Sequence, residues 1–225
     1  MISFTDALMQ LHLKANPKKA AELKNSLKIS RTYLGISNPE LDILYKGWRN
    51  QINGEDRTVL ASELWNSNIY EARIVAAKLL TQARIENDKT VWEEIIRWIP
   101  TLDHASIADH VSGAGSRRIR AFPERLDQIS NWFKDENIWM RRSILTMTMP
   151  WTKLNNPKID ELSQRDRILS WAGELSEDPE WLIQKAIADW LSSLSKHDAP
   201  AVLSFLEKYG AKMKPFAINE ACKFI

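Results

Sequence analysis

The chain has 225 residues, 44% hydrophobic and 27% charged, which is enough for a sizeable core and leaves no disordered or low-complexity stretch. Lys and Arg number 31 against 29 Asp and Glu, so the formal charge is only +2; a basic face is permitted but a polybasic molecule is excluded. The single cysteine, Cys222, excludes an internal disulfide and a cysteine-rich zinc site.

In chain order, the N-terminal stretch MISFTDALMQLHLKANPKK interrupts its apolar residues with Asp6 and His12 and shows no cleavage pattern. It reads as an amphipathic helix, not a signal peptide. No run of about 18 apolar residues occurs anywhere, so no membrane span is expected and a soluble cytoplasmic protein, nucleoid-associated if bacterial, is the default. Apolar residues then recur at spacings of three and four in PELDILYKGWRNQI (39–52), RTVLASELWNS (57–67), YEARIVAAKLLTQA (70–83) and TVWEEIIRWI (90–99). The same periodicity continues in RLDQISNWF (125–133), WMRRSILTMTMPW (139–151), RDRILSWAGEL (165–175), PEWLIQKAIADWLSSL (179–194) and APAVLSFLEKYG (199–210). Many of these segments follow Asn, Asp, Ser or Pro, the residues that start helices. Sustained alternation of apolar and polar residues is missing, so the fold class is all-α.

A repeat lies inside this pattern. NIYEARIVAAKLL from 68, NIWMRRSILTMTM from 137 and PEWLIQKAIADWL from 179 place Tyr70, Trp139 and Trp181 at one equivalent point. Tyr70 and Trp139 stand 69 residues apart, so a further copy is expected near residue 105, within DHASIADHVS. Helix pairs at this spacing predict HEAT-like repeats stacked into an α-solenoid, here as one domain over residues 1–225. The copy at 105 departs from the others. It has Ala105 where they have an aromatic, and Asp109 one turn later where they have Ile74, Ser143 and Lys185.

The stretch TLDHASIADHVSGAG (101–115) therefore holds the chemistry to be explained. Asp103, just after Pro100 and before the helix, is the expected N-cap. His104 and His110 are six residues apart, about 120° around a helix, so they do not share a metal ion; no metal site is expected. Asp109, between Ala108 and Val111, is either a solvated helix residue or a carboxylate held against a developing cation. SGAGSRRIR (112–120) lacks the ending of a nucleotide-binding loop and reads as a flexible connection, either a plain linker or one that brings Arg117, Arg118 and Arg120 to phosphates. Arg141 and Arg142 sit in a first helical turn, where the dipole disfavours cations, which points to another use such as phosphate contact.

The chain resembles the DNA alkylation repair family, the AlkD-like HEAT-repeat alkylpurine DNA glycosylases. The resemblance rests on RTYLGISNPELDILYK (31–46), ELWNSNIYEARIVAAKLL (63–80), IADHVSG (107–113), NIWMRRSILTMTM (137–149), DPEWLIQKAIADWLSSLSK (178–196) and MKPFAINEACKFI (213–225), in family order. It implies a solenoid whose basic concave face cradles duplex DNA. It also implies hydrolysis of the N-glycosidic bond of N3- or N7-alkylated, cationic purines, with no metal or nucleotide cofactor, by a monomer. The family's catalytic Asp falls on Asp109, and its phosphate-contacting Arg within Arg141 and Arg142. Two aromatic positions that would wall a cationic lesion are changed: one is Ala105, and the other aligns with Asp189, beside Trp190, with the family's following Arg at Ser192. Those changes keep a second reading open, a HEAT-like module that binds duplex or distorted DNA without cleaving it.

Overall fold

A computed structural model describes residues 2–85 and 88–225. Among these, thirteen α-helices follow one another with five short 3₁₀ turns and no strand; the only bridge pairing is Thr32 with Ile69. The residues group into two compact units, Met1–Arg118 and Ile119–Ile225.

The first unit holds α1 (Phe4–Leu13), α2 (Pro17–Leu27), α3 (Asn38–Arg49), α4 (Gly54–Asn66), α5 (Tyr70–Leu79), α6 (Asp88–Trp98) and most of α7 (Ala105–Ala121). The N-terminal stretch is thus two helices, split at Asn16-Pro17, where the Asn16 side chain accepts the Lys19 N–H and Pro17 needs no hydrogen-bond partner for its nitrogen. Ser3 and Asp6 close α1 with a reciprocal capping box, and Ser37 with Glu40 does the same for α3. The core is built on α5, nearly all of whose residues are buried against α3 and α4. The indoles of Trp65 and Trp98 stack at 4.4 Å, and their large apolar area is joined by Trp48, whose N–H donates to Gln10. A carboxyl side chain also lies within this core. Glu71, buried, accepts the N–H groups of Leu34 and Gly35 at 2.9 and 2.7 Å, and so fixes the segment that leads into α3. Gly35 has a φ of +74° and an added Cβ would collide with the backbone of Asn16 and Ala20, so no other residue fits there.

The second unit holds α8 (Arg125–Ile129), α9 (Ile138–Thr146), α10 (Ile159–Glu174), α11 (Trp181–Ser195), α12 (Ala199–Tyr209) and α13 (Pro215–Ala221). Its centre is α11, buried along most of its length against α9, α12 and α13. The buried Gln184 amide ties it down, donating to the Ser176 and Asp178 carbonyls while its oxygen accepts the Lys214 N–H. Gly173 on α10 makes room for the ring of Tyr209 on α12.

The repeat starts expected at 70, 105, 139 and 181 are the starts of α5, α7, α9 and α11, with 139 the second residue of α9, and α6, α8 and α10 intervene. The fold class is the all-α helical repeat that the sequence predicts. One element differs. The glycine-containing stretch 112–120 is no loop, because α7 runs without a break from Ala105 to Ala121. Gly113 and Gly115 cost helix propensity, but their neighbours Val111, Ala114, Arg118 and Ile119 are buried, and tertiary packing outweighs about 1 kcal/mol per glycine.

Candidate nucleic-acid site around α7

The start of α7 is built differently from the sequence expectation. Asp103 does not cap it. Its carboxylate pairs with Arg31, 72 residues earlier, at 2.5 Å, and the cap comes from His104, whose Nδ1 accepts the Ser106 N–H at 3.1 Å while its carbonyl accepts from Ala108. A ring nitrogen that accepts must be unprotonated, so this cap requires a neutral His104. Burial lowers the His104 pKa below its usual 6.5, and Arg31 adds to the lowering, while Asp103 and Asp109 oppose it. The His104 ring meets Tyr70 edge-on at 5.9 Å, and Tyr70 in turn packs on Tyr33 at 5.3 Å. The aromatic repeat position of α5 is thus a packing residue, with a phenol pushed upward chiefly by burial and moderated by a hydrogen bond with Ser106.

Asp109 lies one turn beyond Ala105 and its residue is exposed, while Ile107, Ala108 and Val111 around it are buried. The helix therefore turns its apolar side inward and presents Asp109 outward. Ala105 is half-buried, so a methyl group stands where the resemblance expects an indole. His110 beside Asp109 is held below the usual imidazole pKa, first by burial and then by Lys78, with Asp109 and Asp42 opposing. The lowered values favour the uncharged form of both imidazoles near neutral pH. Among the described residues no group of three or more His, Cys, Asp or Glu could hold a metal ion.

The arginines differ in their settings. Arg118 is 1% exposed; it pairs with Asp88 and donates to the carbonyls of Gln82 and Ala83, so it stitches the α5–α6 connection to α7 and does not face solvent. Arg120 pairs with Glu161 at 2.5 Å and lies over the Trp151 ring. Arg141 pairs with Asp178 at 2.8 Å and donates to the carbonyls of Asp135 and Glu136, with side-chain exposures of 16% for Arg141 and 9% for Asp178. The use that its awkward place in the helix suggests is, for Arg141, an internal ion pair. Arg117 is exposed and Arg142 half-buried.

In the second unit, Asp189 is half-buried and pairs with Lys185 one turn earlier at 2.5 Å. Trp190 is fully buried, so it fills the core of α11 and walls no lesion; it is a correction to its place as a substrate contact. Ser192 is buried as well. Sequence reasoning missed Arg31 and Arg73. Arg73 lies 4.6 Å over the Trp65 ring, donates to the Trp65 carbonyl, and is pulled down to about 10 by burial and by Arg31 nearby. No local pattern announces either; both are placed by contacts distant in sequence.

The family model described as DNA alkylation repair enzyme matches residues 7–225. The chain belongs to the DNA alkylation repair family. DNA is accordingly the partner that membership implies. The solved structure of a predicted DNA alkylation repair enzyme from Enterococcus faecalis superposes with a TM-score of 0.75 at 20% identity, covering 94% of this chain and 97% of that one. AlkD2 from Streptococcus mutans gives a TM-score of 0.61 at 19% identity, covering 92% and 95%. At these identities the likeness is one of fold. No curated protein matches the chain. No helix among the described residues of this family member is long and apolar enough to cross a membrane.

Proposed function

We propose that this protein is a DNA glycosylase that hydrolyses the N-glycosidic bond of N3- or N7-alkylated purines in duplex DNA, with Asp109 as the catalytic carboxylate. The observation that carries the reading is an exposed carboxylate in the second turn of α7, turned outward from a buried apolar face, on a helix whose two histidines have imidazole pKa values lowered by burial. An alkylated purine is cationic, so when the C1′–N bond breaks the electron pair goes to the base and the base leaves neutral. The sugar left behind resembles an oxocarbenium ion, and a carboxylate beside it stabilises that charge. Water bonds to C1′ and gives its proton to the carboxylate or to solvent. The residues of the site hold charge and orient water without a cofactor in this scheme. Ala105 would leave one side of the lesion open, admitting adducts that an indole would exclude, and Arg117 and Arg142 are the arginines for phosphate contact. The protein acts in this reading as a monomer in the cytoplasm or on the nucleoid.

A second reading is supported by specific observations: Ala105 has no ring, Asp189 is paired with Lys185, and Trp190 is buried. A family member without aromatic walls could bind duplex DNA and cleave nothing. Incubating the protein with methylated duplex DNA and chromatographing the freed bases tests the two. Release of 3-methyladenine or 7-methylguanine is expected; duplex binding without release of any base would establish the binding module.

A further inference from the structure

On α3, Asp42, Tyr45, Lys46 and Arg49 stand at i, i+3, i+4 and i+7, one stripe of the helix. The structure brings three cations around a single ring there. Lys46 Nζ, Arg49 Cζ and, from α5, Lys78 Nζ lie 6.0, 5.9 and 5.7 Å from the centre of Tyr45. Only one carboxylate answers them: Asp42 pairs with Lys78 at 2.5 Å. Lys46 and Arg49 have no carboxylate within salt-bridge distance among the described residues, and the charge that acts on the buried Arg57 from this side is that of Arg49. Elsewhere in the chain Arg120, Arg141, Arg165 and Arg167 each rest on a carboxylate. Gathering like charges opposes folding, and the negative face of one phenol ring offsets it weakly. In a molecule of net charge +2, such a cluster marks a place where an anion completes the set.

The cluster also adjoins the site around α7. Asp42 and Lys78 are among the charges that act on His110, as is Asp109 itself, and Lys78 is also the cation that Asp42 and the Tyr45 ring share. We propose that Lys46 and Arg49, flanking Tyr45, are a contact site for the phosphate backbone of duplex DNA, which seats a strand alongside Asp109. Lys78 contributes charge while remaining on Asp42. The exposed Lys46 reaches one phosphate and Arg49 presents its fork to another. The choice of duplex DNA as the occupant rests on the reading of Asp109 given above.

The test is the affinity of the full chain for an undamaged duplex, followed by fluorescence anisotropy across a series of potassium chloride concentrations. Replacing both cations, Lys46→Gln with Arg49→Gln, should make log affinity fall less steeply with log salt, by about two units, since each phosphate contact contributes about 0.9. The charge-preserving pair Lys46→Arg with Arg49→Lys should keep most of the wild-type slope, which separates lost charge from altered packing. A slope unchanged in the Gln pair overturns the contact site even if the wild type releases alkylated base. A flattened slope in a wild type that releases no base leaves the contact site standing and removes the glycosylase reading. A chain that binds no duplex at all overturns both.

Discussion

Arg141 shows how one residue can satisfy a sequence argument and still answer it differently. Arg141, a cation in the first turn of α9, demands a partner, and that partner is Asp178, sheltered with it and reinforced by two carbonyls. Arg141→Ala would leave a sheltered carboxylate unpaired, at a cost of about 3 kcal/mol. The urea midpoint of the variant should fall accordingly, with the salt dependence of DNA binding retained; a stable variant with a flattened salt slope would return Arg141 to the phosphate contacts. Ala105 argues the opposite way, from vacancy. It is half-buried at the open end of α7, where the other repeat starts carry rings. If a missing wall limits chemistry, Ala105→Trp should raise base release from cationic lesions and leave affinity for undamaged duplex nearly constant. A joint loss of activity and stability would show that the position is packed too closely for an indole.

At the scale of the element, α7 concentrates both what was legible in the sequence and what was not. Its start near 105 followed from the spacing of aromatics at 70, 139 and 181, because stacked helix pairs repeat their lengths. Its cap did not follow, since Asp103 is drawn away by Arg31 from 72 residues earlier and His104 takes over. Its length was hidden by two glycines whose helical state is set by buried neighbours. Lys46 and Arg49 were equally hidden, because the third cation at their ring comes from another helix. The continuity of α7 makes a clear prediction. A Cβ added at Gly113 meets nothing within 4 Å, so Gly113→Ala should stabilise the protein by about 0.5–1 kcal/mol and raise Tm; a lower Tm would mean that this stretch is not helical in solution. The cap makes another. His104 and His110 have folded-state pKa values below the unfolded 6.5, so the unfolded chain binds protons first as pH falls. Their contribution is intact above about 6.5 and is lost as pH drops through the lowered folded values. His104→Asn caps without titrating and should lose less stability than wild type between pH 7.5 and 5 in urea melts. Equal losses would show that the cap does not depend on a neutral ring.

For the whole molecule, the family match runs through both compact units, from residue 7 to residue 225, while the exposed carboxylate belongs to the first and the paired Asp189 to the second. A net charge of +2 gives no general attraction to nucleic acid, so affinity must come from local groups of cations, and in the proposed reaction catalysis comes from the Asp109 carboxylate. Asp109→Asn keeps the size and hydrogen bonding of the side chain and removes the charge. Electrostatic stabilisation of this kind is worth about 3 kcal/mol, on the order of a hundredfold in rate. The most direct measurement is single-turnover release of 7-methylguanine from duplex DNA by wild type and Asp109→Asn under saturating protein. A fall on the order of a hundredfold is expected in the variant, with duplex affinity unchanged or slightly higher; release by Asp109→Asn as fast as by wild type would rule out Asp109 as the catalytic carboxylate.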